Sequence, residues 1–388
     1  MVPGKIAGQA RNDSMGFRTH LNIFRNKIMN LTIPPEKITA LRMQRQYLAE
    51  KKAGKEEYAQ LFRDMSPVPV RYWSSPGDPP TISSRADFDD FEYNYKLRQN
   101  RDIVKGRFQN GSVGYVTFDE FELFIGLYKK GPGRLSRMQF DLLDLIEHED
   151  GITIGGMKQA TGWLVKNITP ELHKLQEAFL IFEDQTDSEG DRMWFTMERV
   201  FPEIDTKKYT QLESLKTVLL RFAKLNVFFD ASSARSFYKI PLNNIKEAAD
   251  ILVNSGGLIN YNGGYMLKSD FEYLAGPGSD NLKLEKSVIV MHRNDFLVKS
   301  NENNEQQNPR LLKNRFYHDK FGVLQYILID GEFRGALCGN FKFGPAILED
   351  IVLDLPDDEK ASRKEEILAA VYEHHDREAS PLKKYCGK

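Results

Sequence analysis

One succession of local signals occurs twice between residues 134 and 270: a helix, a short helix, a third helix, then two strands about a polar turn. The copies lie very roughly 75 residues apart, long for a solenoid repeat and right for a small domain. In the first copy, Ser136 and Gln139 have the spacing of a capping box, and Phe140, Leu143 and Ile146 follow at helical spacing up to Glu147. Gly151 stops that helix, 152–154 is a short apolar stretch, and 157–161 is a second helix. Thr169 then reads as an N-cap with Pro170 at the first helical position, and Leu172, Leu175 and Phe179 share one face. Residues 180–182 and 193–195 alternate as strands around DQTDSEGD. The second copy places helices at 212–222, 231–237 and 242–254, and GLINYNGGYML forms a hairpin over Asn262 and Gly263. Each element alone is ordinary; the shared order is what constrains the fold.

Helix, helix, helix, hairpin is the order of a winged helix, a variant of helix-turn-helix. The expected fold class is therefore α+β, with tandem winged-helix domains followed by a small C-terminal β-barrel. Upstream, Pro34, Pro35 and Glu36 open a helix running through Leu41 to Lys52, and a second helix covers 56–64. SSPGDPP forces an extended loop. Helices at 88–99 and 121–130 flank a turn and strand, and GPG marks a boundary. Beyond AGPGSDN the chain alternates apolar and polar from Ser287, with Asp330-Gly331 as a hairpin turn and NENNEQQN as a polar loop. Strand count suggests a barrel or sandwich of about 70 residues. The expected division is 1–133 (basic, N-terminal), 134–205, 206–275, 284–356 (the barrel) and 357–388 (a helix and tail). Asp357, Asp358 and Glu359 precede a helix at 367–372 and read as favourable charge at a helix N-terminus rather than a metal site.

Hydrophobic residues make up 41% and charged residues 28% of the 388-residue chain, an ordinary globular balance. No apolar run reaches the roughly 18 residues that would span a bilayer. The first residues lack the apolar core of a signal peptide, and Cys338 and Cys386 form no CxxC pair. The expectation is a cytoplasmic protein, nucleoid-associated if it binds DNA, with no cofactor and no metal. The net charge of −1 divides unevenly: residues 1–134 hold 22 Lys+Arg against 15 Asp+Glu, and the rest hold 32 against 40. Such asymmetry points to a basic binding face upstream of an acidic remainder. The cations singled out there are Arg42, Arg45, Arg71, Arg98, Arg101, Lys105 and Arg107.

The third helices are mixed. His173 and Lys174 read as facing outward in the first copy, beside Glu171 and Glu177. Its wing, with Glu183, Asp184, Asp187, Glu189 and Asp191, would repel a phosphate backbone. In the second copy Asn243, Asn244 and Lys246 start the helix. Asn243 and Lys246 join the candidate contacts, since asparagine can read adenine and also favours helix starts. The charge balance predicts that reversing Lys105 and Arg107 lowers affinity for duplex DNA. No HExxH, catalytic triad or phosphate loop is present.

LRMQRQYL, the PGDPP loop followed by RADFDD, IVKGRFQNGSVGYV, the stretch 134–200, and HRNDFLV with ILIDGEFRGAL together resemble the AlkZ/YcaQ-like family of winged-helix proteins. That family includes DNA glycosylases that repair alkylated and crosslinked bases. The resemblance covers most of residues 36–355. It implies tandem winged helices around a concave DNA-binding face, a closing C-terminal β-barrel, and a third, divergent winged helix in the basic N-terminal region. The partner it implies is duplex DNA, damaged or intact. Active members are expected to carry Gln-x-Gln or Gln-x-Asp just after the second N-terminal helix, where polar groups position the attacking water. Here that stretch reads Met65, Ser66, Pro67, Val68, Pro69, Val70, Arg71, and no glutamine or carboxylate falls between Met65 and Trp73. Proline and valine cannot accept the water's proton. Ser66, Asp64 and Asp295 are the substitute catalytic candidates, with Asp64 expected in solvent. His292 and Arg293 are candidate cleft residues. The expected function is duplex DNA binding by a relative of these repair enzymes without their usual catalytic residues; the alternative is an N-glycosidic hydrolase acting through substitutes.

Overall fold

The computed structural model describes residues 32–71, 77–131, 133–184, 192–302, 312–341 and 345–388. Three consecutive stretches repeat one plan. The first has helices α1 (Pro35–Arg45) and α2 (Lys55–Met65), the short strand β1 (Val68–Pro69), helix α3 (Asp90–Gln99), the hairpin β2 (Ile103–Phe108) and β3 (Ser112–Thr117), and helix α4 (Phe121–Tyr128). The second has α5 (Arg137–His148), β4 (Ile152–Thr153), α6 (Ile154–Thr161), α7 (Val165–Glu177), the hairpin β5 (Ile181–Asp184) and β6 (Met193–Thr196), and the single turn α8 (Met197–Val200). The third has α9 (Gln211–Asn226), β7 (Phe228–Phe229), α10 (Ala231–Tyr238), α11 (Leu242–Asn254), the hairpin β8 (Leu258–Tyr261) and β9 (Gly264–Leu267), and α12 (Lys268–Ala275). In every stretch the sheet has the same order, with the hairpin's second strand in the centre: β1-β3-β2, β4-β6-β5 and β7-β9-β8.

Local chemistry accounts for most boundaries. Ser136 and Gln139 form the capping box that starts α5, and Thr210 with Glu213 does the same for α9. Two helix ends differ from expectation. The N-terminal helix stops at Arg45 rather than Lys52. Tyr47 adopts φ 53°, and the N–H groups of Tyr47 and Leu48 bond back to the carbonyls of Gln44 and Met43. The turn drives Leu48 into the core. In the second stretch, α7 begins at Val165, so Pro170 lies inside it and Thr169 is no cap; its Oγ1 donates to the Val165 carbonyl at 3.0 Å. Starting earlier buries Ile168 on the same face as Leu172 and Leu175, which offsets the hydrogen bond that Pro170 cannot make.

After α12 come β10 (Val288–His292), α13 (Phe296–Asn301), α14 (Leu312–Arg315), β11 (Gly322–Ile329), β12 (Glu332–Asn340), β13 (Ile347–Leu353), α15 (Asp357–Ser362) and α16 (Lys364–Tyr372). The expected barrel is corrected here: among the described residues there is no closed barrel but one open antiparallel sheet, β10-β11-β12-β13. Both faces are covered, which makes closure unnecessary. Met43 and Leu48 join Leu312 and Phe316 on one side, and Ile367, Ala370 and Val371 cover the other. Along the outer edge of β13, the backbone N–H groups of Lys383 and Cys386 donate to Leu348 and Ile351, the edge protection a sheet needs against further pairing. The turn at Asp330 and Gly331 (φ 51° and 75°) presses on α1: a Cβ at Gly331 would fall 2.4 Å from Thr39 Cγ2.

The first and third stretches share one core, in which Phe62, Phe121 and Phe124 belong with Phe222 and Phe237. The second has a further core around Leu142, Leu172 and Trp194 and adds Phe179, Phe182 and Phe201 to the shared one. A buried ion pair connects these parts to the C-terminal sheet. Arg85 donates to both carboxylate oxygens of Asp295, at 2.6 and 3.0 Å, and to Gln46 Oε1 at 3.2 Å, while Gln46 Nε2 donates to the Leu225 carbonyl. Asp295 also caps α13 through the Leu297 N–H at 2.8 Å. Burial alone would raise the Asp295 pKa, but the Arg85 charge and hydrogen bonds outweigh it and hold the carboxyl below the ordinary aspartate range.

Asp295→Ala strands a buried guanidinium, and urea unfolding is expected to show a loss of about 3–5 kcal/mol. A double replacement, Arg85→Met with Asp295→Leu, should recover a good part of it; a single-variant loss under about 1 kcal/mol contradicts a buried pair. Because the folded carboxyl titrates below its unfolded value, this contribution is present above the ordinary aspartate range and is lost as pH falls through the lowered one.

Candidate nucleic-acid interface

The cations that make the N-terminal third basic are largely matched to acidic groups farther along the chain. Arg45 chelates Asp270 at 2.5 Å through both nitrogens and also reaches the Lys224 carbonyl. Lys105 pairs with the fully buried Glu183 at 3.0 Å, and Arg192 approaches the same carboxylate at 2.8 Å. Arg107 donates to Gln176 Oε1 and the Gly111 carbonyl, both at 2.9 Å, and to His173 Nε2 at 2.6 Å. A guanidinium is only a donor, so His173 accepts at Nε2 and is neutral there. Its pKa is lowered by burial first and then by the Arg107 charge. Arg42 donates to the Gly331 carbonyl at 2.7 Å, and Arg98 is buried.

In the structure Arg42, Arg45, Arg98, Lys105 and Arg107 are engaged within the chain, and His173 lies against Arg107. The base of the acidic wing does not repel a ligand; Glu183 grips the hairpin β2–β3 through Lys105, and Asp184 bonds Arg101, just before β2, at 2.8 Å. Burial alone would raise the Glu183 pKa, yet Lys105, Arg192 and Arg107 keep it below the usual carboxylate range. Asp187, Glu189 and Asp191 lie outside the described residues. So do Lys5, Arg11, Arg18, Arg25 and Lys27, which with Asp13 account for four of the seven excess positive charges.

Other candidates remain at the surface. Arg101 is about half exposed in its pair with Asp184, and Lys174 pairs with Glu171 at 2.8 Å along α7. Asn243 and Lys246 are exposed on the first turns of α11. Such surface pairs contribute about 0–1 kcal/mol and exchange readily for another anion.

The stretch where catalytic glutamines were expected offers no substitute. Ser66 is buried, and its hydroxyl donates to the Phe62 carbonyl at 2.8 Å. Val68 and Pro69 pair with Tyr115 and Gly114 of β3. Asp64, expected in solvent, is buried and bonded to Lys224 at 2.6 Å and Gln60 at 2.9 Å. Asp295 is committed to Arg85. None of the three carboxyl or hydroxyl candidates is free to orient a water.

Arg71, at the end of this stretch, stands on the wall of a cleft of about 870 Å³. Its walls include Lys52, Arg71, Ser84, Glu373 and His374, and the strand β10 at Val288, Ile289 and Val290. Asn294 fastens the loop by donating to the Val70 carbonyl at 2.9 Å. His292 stands at the end of β10, its Nδ1 accepting from the Asn294 N–H at 3.2 Å. Burial lowers its pKa to about 4; Asp295 opposes this, while Arg71 and Arg85 reinforce it. His292 is thus neutral at physiological pH rather than a phosphate-binding cation, and Arg293 follows it in the same turn. Lys52 carries no local motif, and Arg85 opens the RADFDD segment without any local sign of its distant partner Asp295.

Among solved structures, the chain is similar to the DNA glycosylase AlkZ of Streptomyces sahachiroi, with 13% identity, a TM-score of 0.65, and coverage of 91% of this chain and 99% of that one. No family model and no curated protein matches. At this identity the likeness is one of fold: an AlkZ-like arrangement of mixed helices and sheets.

Two outcomes separate internal from surface cations. Lys105→Glu sets a second carboxylate against buried Glu183 and should lower stability by roughly 3 kcal/mol or more, whereas Lys174→Glu should change it by about 0.5 kcal/mol or less; equal thermal shifts contradict the assignment. The depressed His292 pKa stabilises the fold above the ordinary histidine value, near 6.5, and that stability is lost as pH falls toward about 4. Ring NMR should show a neutral imidazole at pH 5.5, and a protonated one there would contradict its placement.

Proposed function

We propose that this chain binds duplex DNA as a divergent relative of alkylation- and crosslink-repair glycosylases, without their usual water-positioning residues. The observation carrying this reading is the fold likeness to a DNA glycosylase over nearly the full length of both chains. Three units of helices and a hairpin with one sheet order support reading each as a winged helix, the N-terminal one included. On this reading the domains are 1–133, 134–205, 206–275, the sheet unit 284–356 and the C-terminal 357–388, and the winged helices wall a concave face. Fold alone does not fix function, so the chemistry of the site limits the claim.

Two features narrow it. The candidate stretch at Ser66–Pro69 is turned inward or paired into a sheet, which favours binding over base excision by that route. The internal cations leave Arg71, Arg101, Lys174, Asn243, Lys246 and Arg293 as the proposed contacts. Surface pairs such as Arg101–Asp184 can yield to phosphates, while buried ones such as Lys105–Glu183 cannot without large cost.

Fluorescence anisotropy on intact and alkylated duplexes across a salt series, beside an assay for released base, tests this. The expected result is binding that weakens with salt by about 0.9 in log K per log salt for each phosphate contacted, with no released base above background. Absence of binding at low salt overturns the proposal. Binding with base release establishes the active-glycosylase alternative instead.

A further inference from the structure

The cleft beside Arg71 contains an amine with unusual surroundings. Lys52 lies on its wall, and among the described residues it has no carboxylate within ion-pairing distance and no hydrogen-bond partner. Lys37, Lys51, Lys105 and Lys130 reach carboxylates, Lys129 bonds Thr206 and Lys55 lies over the Phe88 and Tyr93 rings, whereas Lys52 lines the cleft. Burial lowers the Lys52 pKa, Arg85 lowers it further, and Glu373 pulls the other way. A partly desolvated lysine facing open volume is a nucleophile toward carbonyl carbon, because more of it is present as free amine. The cleft, at about 870 Å³, has the capacity of a small-molecule site. Arg71 and Lys286 on its walls suit phosphates flanking a sugar, and Glu373 is a carboxylate on the same walls, beyond ion-pairing distance of the amine.

We propose that Lys52 forms an imine with the aldehyde of an abasic site in DNA and that the cleft acts as an abasic-site lyase, an inference that rests on the DNA-binding reading above. The Lys52 Nζ adds to the C1 aldehyde carbon of the ring-opened sugar, and water leaves to give a protonated imine. The imine acidifies C2. Glu373 accepts the C2 proton, and the C3–O bond breaks, so that the 3′ phosphate departs with the bonding electron pair. Water then hydrolyses the imine and restores the amine. No oxidant, reductant or metal enters the balance. Ser66, Asp64 and Asp295 are not needed, because the step uses no activated water for its first bond.

The experiment mixes the full chain with a duplex bearing one abasic site in the presence of borohydride, which reduces the imine to a stable secondary amine. Peptide mapping of the unaltered chain is expected to place the adduct on Lys52. Lys52→Arg and Lys52→Gln should each lower adduct yield at least tenfold, and Lys158→Arg, on exposed α6, should keep it within twofold. Without borohydride, Glu373→Gln should retain imine formation while slowing strand cleavage at least tenfold. A parallel binding measurement uses a duplex with a tetrahydrofuran site, which has no aldehyde. Binding there with no adduct on the abasic duplex, or an adduct mapped to another lysine, overturns the lyase proposal alone. Failure to bind either duplex overturns the DNA reading and the proposal with it.

Discussion

Arg85 and Asp295 are 210 positions apart in the chain and meet in a bidentate pair almost closed to water. Much of the architecture is arranged to keep that pair satisfied. Gln46 accepts from Arg85 and passes the constraint to the Leu225 carbonyl, so the end of α1, the turn before α3 and the end of α9 are fixed relative to one another. On the other side, Asp295 caps α13 and sets the turn after β10. A buried pair of this kind is costly to break and contributes little when compared with an apolar replacement. Its consequence is positional. Beside it, Asn294 donates to the Val70 carbonyl and ties the segment before Arg71, a cleft-wall residue, to the turn after β10.

The same principle recurs between the first two units at lower stakes. Lys105 of β2 is matched by Glu183 of β5, which Arg192 before β6 also approaches, with Arg101 and Asp184 nearer solvent. A chain of near-zero net charge can thus carry a strongly uneven distribution along its length without presenting it outward. What remains for an anionic partner is a thin set of surface cations and the polar cleft. That is consistent with a protein that holds a duplex by shape and a few phosphates rather than by a continuous positive field.

The repeated units were legible because their signals are local. A capping box at Ser136 and turn pairs at Asn262-Gly263 and Asp330-Gly331 act over a few residues, and the structure uses each as its residue types require. The start of α7 was not legible: Thr169 and Pro170 are a good local beginning, but tertiary burial of Ile168 extends the helix past them. Nor was the open sheet, because its need for closure depends on which helices cover its faces, and α1 lies some 250 or more residues upstream of the strands it covers. The internal partners of Lys105, Arg107 and Asp64 were not legible for a related reason. Charge counted along a sequence says nothing of whether the counterion is water, a ligand or Glu183.

The central claim is that a nucleic acid meets the cleft and its rim while the basic hairpin stays internal. Hydrogen–deuterium exchange with and without excess duplex tests this most directly. Protection is expected at the cleft walls, in the segments around Lys52, Arg71, Val288–Val290 and His374, and around Lys174 and Asn243–Lys246, with exchange in β2–β3 unchanged. Protection centred on β2–β3 with an unaltered cleft would contradict the account.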